Sequence, residues 1–230
     1  MPILEQDILF EDNHLLALNK KPGVLAQGDS TGDPSLVEQT KEYLKERYKK
    51  PGNVFAGLVH RLDRPVSGVI LLAKTSKALE RMTAMFRDRQ VEKKYLAIVA
   101  GTIEPEGVLR HWLVKDAAAN KARVFNRESQ GAKLAVLSYK VLAYSGGERL
   151  LETTPHTGRP HQIRAQLSFI GAPIKGDVKY GYPLPNGDKS VCLHARSLSF
   201  IHPVRKEPVD ITAPYPPGQE WDAFRNIFED

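Results

Sequence analysis

The segment "HRLDRPVSGVILLAK", His60 to Lys74, sets one carboxylate, Asp63, between Arg61 and Arg64 and follows it at once with an apolar run. A neighbouring positive charge favours the ionised form of a carboxylate, so Asp63 reads as a group held ready to act as an anion. The plainer reading is a surface ion pair ahead of a buried strand. Chemistry elsewhere in the chain separates the two, first by what it excludes. Seven histidines and one cysteine are present, without a helical "HExxH" pair or a thiolate set, so a metal centre is not expected and His14, His111 and His202 read as ordinary polar residues. Neither "GxxxxGK[ST]" nor "GxGxxG" occurs, which argues against nucleotide cofactors, and "GxSxG" is missing with the serine hydrolase elbow it would form.

What remains is a carboxylate, many arginines and a formal net charge of +6. A glycosidase needs a second carboxylate, for which Asp177 in "IKGDVKYG" is the candidate. A lone anionic carboxylate can instead attack or stabilise a sugar carbon whose leaving group is a nucleobase. RNA matches the positive charge, and chemistry on its bases requires flipping the nucleotide, at a cost of a few kcal/mol that stacking offsets. Tyr95, just after "EKK", is a candidate stacking surface, with a half-buried strand tyrosine as the alternative.

These residues need elements to hold them. "ILFEDNHLLALNKKPG" predicts a hairpin of Ile8 to Glu11 and His14 to Asn19, turning at Asp12 and Asn13 and ended by Pro22 and Gly23. From Asp33, as cap, a helix is expected with Leu36, Val37, Thr40, Tyr43 and Leu44 on one face. Val69 to Ala73 reads as a buried strand, and Thr75 or Ser76 caps a helix carrying Leu79, Met82, Met85 and Phe86. "KKYLAIVAG" and then "GVLRHWLVK", "KARVFN", "LAVLSYKVLAY" and "RLLETTP" are strand-like and mostly joined by short turns, which favours an antiparallel or mixed sheet. "GRPHQIRAQLSFIG" reads as a short helix with Pro160 at its start, Ile163, Leu167 and Ile170 inward, and His161, Arg164 and Ser168 together on another face. A final helix is expected to carry Trp221, Phe224 and Phe228. Strands and helices interleave without βαβ regularity, so the class is α+β, in one continuous catalytic domain over residues 1–230. With Cys192 alone there is no intrachain disulfide, and with no leader or membrane span the expectation is a cytoplasmic protein with no membrane contact.

Six blocks then carry a resemblance. "NKKPG" (19–23), "HRLDRPVSG" (60–68), "KKYLAIVAG" (93–101), "TGRPHQIR" (157–164), "GAPIKGDVKYG" (171–181) and "LHARSLSFIHP" (193–203) occur in the order found in RluA-type RNA pseudouridine synthases and span nearly the whole chain. The resemblance implies a curved, mixed and mostly antiparallel sheet with flanking helices and a central cleft. It also implies an isomerase that detaches uracil from ribose in RNA, turns it and rejoins it through C5, without metal or organic cofactor. Asp63 resembles the essential aspartate, working either as nucleophile at the anomeric carbon or as base at the adjacent carbon. Tyr95 resembles the tyrosine that packs on the flipped base, Arg164 the basic residue that pairs with the aspartate, and Arg61 the arginine that takes the place of the departed base. His60 is expected to shape the loop and, with Arg64, Lys20, Lys21, Lys93, Lys94, Arg159 and His161, to belong to the RNA-contacting set; Lys49 and Lys50 extend the basic track.

Val66 stands where the family often has threonine, and Pro160 where it often has threonine, both leaving the charged residues in place. Many relatives add an N-terminal S4-type RNA-binding domain, whereas here the hairpin begins within ten residues, so the minimal form is expected. The expected partner is a ribosomal or transfer RNA stem-loop, met by a monomer with no obligatory protein partner. An RNA-binding or RNA-folding protein without catalysis is the alternative, opposed by the intact Asp63, Tyr95 and Arg164. A nucleoside or glycoside hydrolase is a third, which would release free base or sugar.

Overall fold

The computed structural model describes residues 3–29 and 32–228. In chain order these form β1 (Ile8–Glu11), β2 (Leu15–Lys20), α1 (Leu36–Arg47), β3 (Gly57–Leu58), β4 (Ser67–Ala73), α2 (Ser76–Arg87), β5 (Glu92–Val99), β6 (Glu106–Asp116), β7 (Lys121–Phe125), β8 (Lys133–Ser145), β9 (Glu148–Pro155), α3 (Gln162–Phe169), β10 (Leu193–Ile201), β11 (Pro208–Thr212) and α4 (Gln219–Asp222). The class is α+β, with an open mixed sheet. No helix among the described residues is long and apolar enough to cross a membrane. The chain divides into two compact units, residues 1–92 with 195–214, and residues 93–194 with 215–230.

In the first unit the order is β1-β2-β4-β10, with β3 beside β4 and β11 beside β10. The turn at Asp12 and Asn13 closes because the Asp12 carboxylate accepts the His14 and Leu15 N–H groups at 2.8 and 2.7 Å. β4 is buried on both faces, which is why "VILLA" is a continuous apolar run rather than an alternation. Leu15, Ala17, Val69 and Leu71 pack with Leu198, Phe200 and the α2 residues Ala78 and Met82, and each fully buried aliphatic contributes roughly 1.5–3 kcal/mol. Gly68 adopts φ +105°, and a Cβ there would lie 2.2 Å from the Ala195 carbonyl oxygen, so β10 closes on β4 only over a glycine.

α1 corrects one expectation: its cap is Ser35, not Asp33. Ser35 Oγ accepts from the Glu38 N–H while the Glu38 carboxylate accepts the Ser35 N–H at 2.7 Å, a reciprocal pair that Asp33 does not make.

In the second unit the order is β5-β9-β8-β6-β7, antiparallel throughout. Leu113, Ala122, Ala135, Ala165 and Tyr180 form a common apolar cluster that ties α3 to this meander. The final helix is shorter than expected: α4 spans Gln219–Asp222 and gives way to a 3₁₀ turn, Arg225–Ile227. Trp221 and Phe224 are still buried, but Phe228 leaves the helical path and stacks on Tyr215 at 4.8 Å. Cys192 is fully buried, with its thiol pushed up to about 12 chiefly by that burial.

Candidate active site

Asp63 sits on the connection from β3 to β4, half-buried, in a turn closed by the Val66 N–H on the Asp63 carbonyl at 3.1 Å. Leu62 and Val66 are buried and anchor the loop from either side. His60 fixes its start: Nε2 accepts the Leu71 N–H at 3.1 Å, so the ring proton is on Nδ1, and the ring stacks on Phe86 at 4.8 Å. Arg61 is exposed.

Lys20 corrects the surface reading. It is 1% exposed, because the strand that carries it runs beneath the Asp63 loop, and its ammonium donates to the carbonyls of Lys21, Arg64 and Val66 at 3.0, 3.0 and 2.7 Å. An ammonium has three N–H groups, and each meets an acceptor. Burial pushes Lys20 down to about 7, while the charge of Asp63 raises it. Lys20 is therefore no phosphate contact but an internal strut under the loop.

Arg64 is exposed beside it. Its guanidinium pairs with Asp33 at 2.7 Å and donates through Nε to the Gly23 carbonyl at 2.9 Å, because those acceptors, distant in sequence, are brought to it by the fold. The Gly23 N–H returns a bond to the Arg64 carbonyl at 2.8 Å, so "NKKPG" and "HRLDRP" are laced together at both backbone and side chain. Lys21 pairs with Asp7 at 3.2 Å.

In the second unit Tyr95 lies on β5 opposite Thr153 of β9 and is half-buried. Beside it Lys94 pairs with Glu152 at 3.4 Å. The segment before α3 is tied to β8 through Gln162, whose Oε1 accepts from Thr157 Oγ1 and the Arg159 N–H at 2.7 and 3.0 Å and whose Nε2 donates to the Val136 carbonyl at 3.0 Å. Arg159 Nε donates to the Leu134 carbonyl at 3.0 Å. Pro160 precedes the helix, and His161 is its N-cap in the left-handed region, φ 54°.

Arg164 is 4% exposed and makes a two-pronged pair with Asp177: Nε to Oδ2 at 2.7 Å and Nη2 to Oδ1 at 2.8 Å. This overturns Asp177 as a second acid or base, since both its oxygens are committed to a guanidinium. The face carrying His161, Arg164 and Ser168 meets one residue that sequence reasoning missed, Tyr180. Its hydroxyl accepts the Ala122 N–H and shares a hydrogen bond with His161 Nδ1, both at 2.8 Å. Its ring lies under the Arg164 guanidinium at 5.1 Å, and its carbonyl accepts from Ser168 Oγ at 2.5 Å. Three polar residues on one face of a buried helix were the available signal for such a partner.

Residues 14–169 match the family model described as RNA pseudouridylate synthase. The ribosomal large subunit pseudouridine synthase C of Vibrio cholerae is 34% identical over 218 residues, 92% of this chain and 66% of that protein's length. The tRNA pseudouridine synthase C of Haemophilus influenzae is 33% identical over 239 residues, 96% of this chain and 97% of that protein. Among solved structures, human RNA pseudouridylate synthase domain containing 4 superposes with a TM-score of 0.78 at 26% identity, covering 97% of this chain and 93% of that one. With the Asp63 loop, Tyr95 and the Arg164 helix all built from the blocks that carry the resemblance, the chain belongs to the RNA pseudouridine synthase family.

Proposed function

We propose that this protein converts uridine to pseudouridine in a structured ribosomal or transfer RNA. The observation that carries the reading is the way Asp63 is mounted: a half-buried carboxylate on a loop braced from beneath by the Lys20 ammonium, in a chain related along nearly all its length to pseudouridine synthases. A charged residue as expensive to bury as Lys20 is a heavy investment for a mere surface turn. In this reading the Asp63 carboxylate either attacks C1′ of the flipped nucleotide and displaces N1, or takes a proton from C2′ as the N1–C1′ bond breaks; uracil turns, C5 bonds to C1′ as the Asp63–C1′ bond breaks or the proton returns to C2′, and the proton lost from C5 is balanced by one gained at N1. Tyr95 packs on the base, and Arg164 supplies a positive charge to the reaction. Arg61, His161 and exposed lysines of the basic track hold the RNA.

The Haemophilus tRNA enzyme is matched over 97% of its length, so a transfer RNA transcript is the first substrate to try. Purified wild-type protein should form pseudouridine in it without changing RNA length or mass. Asp63→Asn should bind the RNA within about twofold of wild type and form none, the pattern of an interaction used only in the transition state. Turnover by Asp63→Asn would remove Asp63 from its role, and release of free uracil would replace the isomerase with a hydrolase.

A further inference from the structure

Arg164 is fixed more thoroughly than its place on a helix requires. Both oxygens of Asp177 hold its Nε and Nη2 edge, the Tyr180 ring lies under its face at 5.1 Å, and the pair is dry: the two side chains of the ion pair are 5% and 1% exposed. Asp177 is itself immobilised, because its backbone carbonyl accepts the Tyr180 and Tyr182 N–H groups at 3.0 and 3.1 Å and its N–H donates to Ile174 at 3.0 Å. Tyr180 in turn is held at its hydroxyl by Ala122 and at its carbonyl by Ser168. A guanidinium with one edge clamped and one face supported presents its Nη1 edge in a single direction, and a planar fork does this where an ammonium cannot.

We propose that Asp177 and Tyr180 are positioning residues that set the direction of the Arg164 guanidinium for the isomerisation. The inference rests on the reading of Arg164 given above. It is distinct from a staple that only adds stability, because a staple leaves the rate of folded molecules unchanged while a misaimed group slows the chemical step.

The test is a cycle of Asp177→Asn, Arg164→Lys and the two combined, read as the single-turnover rate at saturating enzyme, the RNA dissociation constant, and cooperative melting by circular dichroism. Asp177→Asn should slow the single-turnover rate at least about tenfold with RNA affinity within about twofold. Arg164→Lys should be slowed by as much or more, and in that background Asp177→Asn should cost little further, since lysine has no planar fork to align. A cooperatively melting Asp177→Asn protein at wild-type rate would overturn the proposal. So would losses that multiply in the combined variant. Arg164→Lys at wild-type rate would instead refute the reading of Arg164 itself. Should Asp177→Asn not fold, Tyr180→Leu is compared with Tyr180→Phe, which loses the same hydroxyl bonds to Ala122 and His161 but keeps the ring under the guanidinium: a rate about fivefold or more lower in the leucine variant than in the phenylalanine variant, with unchanged affinity, supports the proposal, and equal rates overturn it.

Discussion

Lys20→Met removes the ammonium beneath the Asp63 loop while keeping an unbranched side chain of similar length. The carbonyls of Lys21 and Val66 lose this donor, while that of Arg64 keeps the Gly23 N–H. An orphaned buried acceptor costs about 1–3 kcal/mol, so the variant is expected to be less stable and, through the loosened loop, slower. The sharper expectation concerns pH. Lys20 falls from 10.5 to about 7 in the folded chain. A lysine with a lowered folded pKa burdens the native state while it is charged, and the burden lifts as pH rises through the folded value; between about pH 7 and 10.5 the unfolded chain binds more protons and stability must rise. Integrating from pH 7 to pH 9, with the unfolded lysine still protonated and the native one releasing its proton, yields roughly 2 kcal/mol. Methionine does not titrate, so the stability gap between wild type and Lys20→Met should widen by roughly 2 kcal/mol over that interval. Urea denaturation of both proteins at pH 7 and pH 9, at constant ionic strength, measures it. A gap equal at both pH values within the roughly 10–15% uncertainty of extrapolation would refute the reasoning, by showing that the carbonyls and Asp63 keep the ammonium charged despite its burial.

Gly68→Ala should cost at least about 3 kcal/mol, read as a fall in melting temperature, because it combines a strained backbone with a direct collision against the Ala195 carbonyl. RNA affinity should drop steeply with salt, about fiftyfold between 50 and 200 mM for four phosphate contacts, and mutating Lys49 with Lys50 should flatten that slope; a flat wild-type slope would assign the binding energy to shape or base contacts. Dialysis against a chelator, with the RNA kept folded by monovalent salt, should leave turnover intact, since the sequence offers no ligand cluster; restoration of a lost activity by zinc alone would contradict this.

Local signals carried the strands and helices well. The apolar run of β4, the Thr75 cap of α2 and the turn at Asp12 and Asn13 are written in residues that interact within a few positions of each other. Errors arose where partners come from afar. Asp33 and Ser35 both look like caps, and only the answering Glu38 distinguishes them, while Asp33 is claimed by Arg64 across 31 positions. Lys20 was read as exposed because lysines seldom lie inside; its interior place depends on carbonyls up to 46 positions away, which no window of sequence displays. Tyr180 went unnoticed although its block was recognised, because its importance lies in which helix face it meets.

The state of Cys192 has a practical consequence. The only sulfhydryl in the chain is shut away from solvent and stays protonated up to about 12, so maleimides and iodoacetamide at neutral pH should find nothing to react with. A cysteine introduced at an exposed position such as Lys77 on α2 or Lys140 on β8 then becomes a unique attachment point without first deleting the native one. Fluorophores and spin labels can therefore report on RNA docking in a protein whose interior is untouched.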